Sequence, residues 1–179
     1  MDSQDTLPGE MPALIEYAMK EAAVASSLES LQEKIVRAIG ERLPYYDWTG
    51  FYMLDPDDPK TLVLGPFDGA PTPHVRIPVS QGICGAAVES GETVVVDDVN
   101  ADPRYLSCSI STKSEIVVPI YASGRVVGEI DIDSHQPAAF ADRDRTFLEQ
   151  MARIVGAYIE RVQEGHSGSA ASRRTNSSN

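Results

Sequence analysis

Residues 114–134 read Ser-Glu-Ile-Val-Val-Pro-Ile-Tyr-Ala-Ser-Gly-Arg-Val-Val-Gly-Glu-Ile-Asp-Ile-Asp-Ser. They contain two strand-like runs, 116–121 and 126–132, which are separated by the four residues Ala-Ser-Gly-Arg. So short a connection between two apolar runs is typical of a β-hairpin. We therefore predict that this stretch forms an antiparallel pair of strands.

Further short strands are predicted upstream of this hairpin. The runs at 48–54 and 62–67 are joined by Asp-Pro-Asp-Asp-Pro, a composition that favours a turn and so predicts another hairpin. Shorter strand-like runs follow at 75–79 and 93–96, with a glycine-punctuated helical segment at 83–90 between them. A long loop is predicted from residue 97 to about residue 113.

Apolar residues at helical spacing mark both ends of the chain. Two helices are predicted before the first strand, the second ending at Pro44, and a third begins near Asp142. Helices at both ends of a run of hairpin-joined strands predict an α+β fold in which helices cover at least one face of an antiparallel sheet. We expect one domain over 10–163, with a flexible N-terminus at 1–9 and a disordered polar tail at 164–179.

Composition and charge exclude several classes of function. The chain has 179 residues and a net charge of −12, so most of its surface should repel nucleic acids and anionic membranes. No stretch approaches the about 20 consecutive apolar residues of a membrane helix, and the first residues lack the pattern of a secretory signal. We expect a cytoplasmic protein that binds neither nucleic acid nor membranes.

The two cysteines, Cys84 and Cys108, are candidates for thiol chemistry. Cys84 follows a glycine turn that enters a helix, where the helix N-terminus favours a thiolate or an anionic ligand, and Cys108 lies in the long polar loop. Inert packing is the alternative for either residue. Two cysteines and three histidines without C-x₂-C spacing do not predict a zinc site, so no bound metal or cofactor is expected.

Three acids and two aromatic residues also stand out. Asp131 and Asp133 are two apart in a strand and so share a face, while Glu115 opens the neighbouring strand. Convergence of the three would raise at least one carboxyl pKa, create a proton donor and attract an ammonium group. Trp48 and Tyr52 are four apart and could wall a ligand pocket. The alternatives are a solvated acidic face and ordinary core packing.

Together these motifs resemble the free methionine-(R)-sulfoxide reductases, which are single-domain members of the GAF superfamily. The resemblance covers roughly residues 10–163. It rests on the motifs Trp48-Thr49-Gly50-Phe51-Tyr52, Leu62-Val63-Leu64-Gly65-Pro66-Phe67, Gly82-Ile83-Cys84-Gly85, Asp97-Asp98-Val99, Ser114-Glu115-Ile116-Val117-Val118-Pro119 and Gly128-Glu129-Ile130-Asp131-Ile132-Asp133-Ser134.

The resemblance implies a GAF fold of about six antiparallel strands, often dimeric, that reduces free methionine sulfoxide. Cys108 matches the catalytic cysteine, which attacks the sulfoxide sulfur and becomes a sulfenic acid. Cys84 matches a partner that forms a disulfide with it, which thioredoxin then reduces at the expense of NADPH. The implied substrate-binding residues are Trp48, Tyr52, Glu115 and Asp131, with Asp133 assisting protonation of the leaving oxygen.

Two departures from the family pattern leave a second function open. Many members carry a third cysteine at the position of His74, and the segment before Cys108 reads Asp-Pro-Arg-Tyr-Leu-Ser rather than ending in His-Ile-Ala. The alternative is therefore a stand-alone GAF sensor that binds a small metabolite without converting it. A purely structural dimerisation domain would explain neither the cysteines nor the acids.

Overall fold

The predicted hairpin at residues 114–134 forms the two longest strands of a single antiparallel sheet. A computed structural model describes residues 9–106 and 111–174, with only the backbone given for 166–174. Its strands are β1 (Trp48–Leu54), β2 (Thr61–Asp68), β3 (Arg76–Pro78), β4 (Val94–Val96), β5 (Ser114–Ala122) and β6 (Arg125–Ser134). They lie in the order β3-β2-β1-β6-β5-β4, which confirms the predicted six-stranded α+β fold.

The turn between β5 and β6 fixes the strand pairing nearest to it. Ser123 and Gly124 both have positive φ, as a two-residue hairpin turn of type I′ requires. Ala122 therefore pairs with Arg125, the register shifts between Ile120 and Tyr121, and the shifted ladder continues as far as Ser114 opposite Ser134. Both strands extend beyond the predicted apolar runs, because backbone pairing continues through the polar residues at their ends.

The helices cover the two faces of the sheet unequally. α1 (Glu10–Val24), α2 (Leu28–Arg42) and α4 (Asp142–Arg174) contribute to the larger hydrophobic core. α3 (Gly82–Ser90) packs on the other face over a smaller core that includes Trp48, Tyr52 and Val117. In the described part of the chain, no helix is both long and apolar enough to cross a membrane.

The last helix, α4, has helical backbone as far as Arg174. Its final residues are rich in alanine and serine and lack proline, a composition that permits a helix. The disordered polar tail at 164–179 stays a prediction of the sequence.

A buried carboxylate fastens the start of α4 to the segment after α2. Asp144 is fully buried and accepts hydrogen bonds from the hydroxyls of Tyr45 and Tyr46, the latter at 2.9 Å. It also accepts one from the backbone N–H of Ala141, at 2.9 Å. One side chain thus satisfies three buried or partly buried donors.

We expect Asp144→Ala to lower the free energy of unfolding by roughly 3 kcal/mol, because it leaves two buried hydroxyls and a helix-end N–H without an acceptor. Urea denaturation followed by circular dichroism measures the change. Asp142→Ala, at an exposed acid of the same helical turn, is the control and should cost roughly 0.5 kcal/mol. Equal losses of unfolding free energy in the two variants would contradict a stabilising role for the hydrogen bonds that Asp144 accepts.

Candidate active site

The candidate site lies on the α3 side of the sheet, where β1, β5 and β6 run side by side. Asp133 on β6 lies opposite Trp48 on β1 and opposite Glu115 on β5. Asp131 on the same strand lies opposite Gly50. Because alternate residues of a strand share a face, these side chains form one polar patch on an otherwise apolar surface.

Glu115 and Asp131 of this patch converge, and α3 adds a thiol to them. One ligand atom each of Cys84, Glu115 and Asp131 lies within 4.8 Å of the other two. The Cys84 thiol donates to Asp131 Oδ2 across 3.6 Å. All three side chains are buried, so the cluster lies beneath the protein surface.

A fourth carboxyl, that of Glu129, completes the buried group. Glu129 is 0% exposed and lies two residues before Asp131 on β6, opposite Tyr52. Sequence reasoning did not single it out, although the same two-residue alternation that pairs Asp131 with Asp133 also includes Glu129. The strong β-strand pattern of this segment was the signal that could have identified it.

Burial is the main cause of raised pKa values throughout the cluster. It raises the pKa of Glu115, Glu129 and Asp131 well above the ordinary carboxyl range, and neighbouring acids raise each further. Among the described residues, no lysine, arginine or histidine forms an ion pair with these acids. The site therefore favours protons or a bound cation.

The Cys84 thiol is affected in the same way. Burial raises its pKa well above the usual thiol value, and the charges of Asp131, Glu129 and Glu115 raise it further. This is opposite to the expectation that the N-terminus of α3 would favour a thiolate. The nearby carboxyls and the loss of solvent outweigh the helix end at this position.

Asp133 differs from the deeper acids because it reaches a cavity. The cavity has a volume of about 160 Å³ and is lined by Asp47, Trp48, Ala70, Pro71, Thr72, Thr112, Asp133 and His135. Burial raises the pKa of Asp133 to about 7, a hydrogen bond from Thr112 opposes the rise, and the charge of Asp47 adds to it. Asp133 is thus positioned to exchange a proton with a molecule in the cavity near neutral pH.

The two predicted aromatic residues occupy different positions. Trp48 lines the cavity, and its ring stacks on Phe67 with centroids 5.6 Å apart. Its indole also covers Gly50, where an added Cβ would lie 2.2 Å from the ring. Tyr52 lies deeper, is absent from the cavity wall, and donates its hydroxyl to the carbonyl of His74 at 2.8 Å.

Cys108 lies outside the described residues, so its predicted role rests on the sequence. The described chain on either side approaches the site. Leu106 packs against the smaller core and would contact a Cβ at Gly82, at the start of α3. Thr112 lines the cavity and hydrogen-bonds Asp133.

The raised carboxyl pKa values predict that the protein becomes more stable on acidification. A carboxyl with a raised folded-state pKa contributes stability below its unfolded pKa and loses it as the pH rises through the folded value. For Asp133 this window runs from the ordinary value of 3.8 to about 7. We expect the Tm to rise by roughly 5 °C between pH 8 and pH 5.5.

Differential scanning calorimetry across that pH range measures this effect. Asp133→Asn removes the titrating group, so its Tm should change less with pH than that of the wild type. A wild-type Tm that falls steadily on acidification from pH 8 would show that these acids are ionised in the folded protein.

The chain matches one family model and is similar to several known proteins that carry different names. The family model described as GAF domain matches residues 25–160. The chain is 44% identical to Protein YtsP of Bacillus subtilis over 63% of this chain and 68% of that protein. It is 39% identical to the free methionine-R-sulfoxide reductase of Escherichia coli, over 68% of this chain and 69% of the relative. A substrate complex of the Neisseria meningitidis free methionine-R-sulfoxide reductase superposes with a TM-score of 0.81 at 32% identity, covering 87% of this chain and 91% of that one.

Proposed function

Since this chain belongs to the GAF domain family, we propose that it is a thiol-dependent reductase of free L-methionine-(R)-sulfoxide. The observation that carries the proposal is the group of buried acids, with no basic partner among the described residues, beside a cavity walled by Trp48. Relatives named for this activity share 39% and 41% identity with the chain, which supports the same assignment.

The acids suit a free amino acid better than a peptide-bound residue. A free amino acid carries an ammonium group, which Glu115 and Asp131 would hold through charge-assisted hydrogen bonds. Its charge would also offset the repulsion among the acids and favour their ionised forms. In a peptide-bound methionine sulfoxide the same nitrogen is a neutral amide, so this attraction is absent.

The chemical step requires a sulfur nucleophile and a proton donor. In our proposal the thiolate of Cys108 attacks the sulfoxide sulfur, and Asp133 protonates the sulfoxide oxygen as the sulfur–oxygen bond breaks. The hydroxide so released then bonds to the Cys108 sulfur and breaks its bond to the methionine sulfur, so that methionine leaves in its reduced form and Cys108 is left as a sulfenic acid. Asp133 suits this role because it lines the cavity and has a pKa raised to about 7.

Recycling requires a second thiol and an external reductant. Cys84 would attack the Cys108 sulfenic acid, releasing water and forming a disulfide, and thioredoxin would then reduce the disulfide to two thiols. The acids around Cys84 raise its pKa, so this step should accelerate as the pH rises.

A homodimer and a cytoplasmic location stay predictions of the sequence.

The direct test is oxidation of NADPH coupled through thioredoxin reductase and thioredoxin, with separated R and S epimers of free methionine sulfoxide. We expect turnover with the free R epimer alone, with methionine detected as the product. Absence of methionine with thioredoxin, glutaredoxin or dithiothreitol would overturn the proposal. A ligand-dependent rise in Tm without product would instead favour the metabolite-sensing alternative.

A further inference from the structure

The deepest part of the site brings a thiol together with carboxyls, and the proposed reaction gives one of these carboxyls, that of Glu129, no role. Cys84 comes from α3, Glu115 from β5 and Asp131 from β6, and one donor atom of each lies within 4.8 Å of the others. The Cys84 Sγ and Asp131 Oδ2 atoms are 3.6 Å apart. An ammonium group can be held by carboxylates alone, so the thiol adds a donor of a different chemical kind.

Glu129 is an independent indication that something binds at this position. Its side chain is 0% exposed, and neither carboxyl oxygen has a hydrogen bond of normal geometry among the described residues. It lies on the same face of β6 as Asp131, the face against which α3 packs. The buried Oδ1 atom of Asp131 likewise has no hydrogen-bond partner in the described part of the chain. Buried polar atoms normally have partners, so these oxygens point to a ligand.

We propose that Cys84, Glu115 and Asp131 form a binding site for a thiophilic divalent cation of the Zn²⁺ or Cd²⁺ class, with Glu129 as a further buried carboxyl beside it. One thiolate and two carboxylates supply three ligands and leave one position of tetrahedral zinc for water, and the thiolate disfavours Mg²⁺ and Ca²⁺. Zinc bonds of about 2.0–2.3 Å place ligand atoms roughly 3.5 Å apart, a spacing that Cys84 and Asp131 already have.

Binding would require the ligands to lose their protons. The thiol proton and any carboxyl protons pass to solvent, and the cation then offsets the negative charge that remains. Binding should therefore tighten as the pH rises. The ion would also occupy Glu115 and Asp131, which we propose as the ammonium ligands, so it would exclude methionine sulfoxide reversibly.

The experiment measures metal binding in the full-length protein and needs no enzyme activity. Cys108→Ser serves as the background, because the chain has only two cysteines and Cys84 is then its sole thiol. Titration with Cd²⁺ is followed by the ultraviolet absorption of the cadmium–thiolate bond, and Zn²⁺ is added to compete. We expect saturation at one equivalent and a Kd at least about tenfold lower at pH 8 than at pH 6.5.

Variants of the ligands locate the ion. Adding Cys84→Ser should remove the absorption, and adding Glu129→Gln should weaken binding by about 10- to 100-fold. Glu89→Gln, at an exposed acid on α3, is the matched control and should leave the Kd unchanged. If Cys84→Ser does not fold, the Kd of Glu129→Gln for Cd²⁺ still tests whether the ion binds at this cluster. An absent band, or a Kd that Glu129→Gln leaves unchanged, would overturn the site whether or not the protein reduces sulfoxides.

Discussion

Replacing Cys108 with serine is expected to abolish reduction of free methionine-(R)-sulfoxide, with a fall in kcat of at least about a thousandfold. A serine hydroxyl is almost entirely protonated near neutral pH, whereas a thiol supplies a few per cent of the much stronger thiolate nucleophile. Serine also cannot form the sulfenic acid or the disulfide on which recycling depends. The NADPH-coupled assay and direct quantification of methionine both measure the loss.

Cys84→Ser is the matched control for this prediction. It leaves the proposed nucleophile in place, so we expect about one methionine per chain in a rapid-quench experiment and little turnover afterwards. The two serine variants therefore separate the chemical step from recycling. Full turnover without Cys108 would exclude the mechanism, and full thioredoxin-dependent turnover without Cys84 would exclude only the proposed disulfide.

Replacing Asp133 with asparagine is expected to lower kcat by about 10²- to 10⁴-fold with a smaller change in KM. The amide keeps the shape of the side chain and can still hydrogen-bond, but it cannot deliver a proton to the leaving oxygen. Because Asp133 lines the cavity rather than the deeper acid cluster, we expect the ammonium subsite to persist.

The pH dependence of the rate provides an independent readout of the same group. Burial raises the pKa of Asp133 to about 7, so the protonated donor predominates below that pH and is lost above it. Ionisation of the Cys108 thiol increases the rate as the pH rises, so the data are first corrected for it. The corrected single-turnover rates of the wild type should then fall as the pH rises through neutrality. The residual rate of Asp133→Asn should lack this fall, and an unchanged pH profile in the variant would assign the proton donor elsewhere.

Local sequence predicted most of the secondary structure correctly. The 114–134 hairpin, the hairpin before it and the order of the helices all follow from short-range periodicity and turn composition. The GAF fold implied by the motifs is confirmed by the family match over residues 25–160.

Within the site, the sequence by itself determined which side chains share a face. Strand alternation places Asp131 and Asp133 together, and Glu115 opens the partner strand that pairs with Asp133. The same rule places Trp48 and Tyr52 on one face of β1, but only Trp48 reaches the cavity. How deeply each side chain is buried depends on the helices and loops that cover the strand. The alternation of residues along the strand carries no information about these covering elements.

Only the tertiary structure decided how these groups behave chemically. It brings α3 over the sheet so that Cys84 meets carboxyls that lie more than 30 residues away in the chain. Motif spacing carried no information about this cluster of thiol and carboxyl groups, since its members come from separate elements. The pKa of each group is set mainly by loss of water and by neighbouring charge, both of which arise from packing between elements that are distant in sequence.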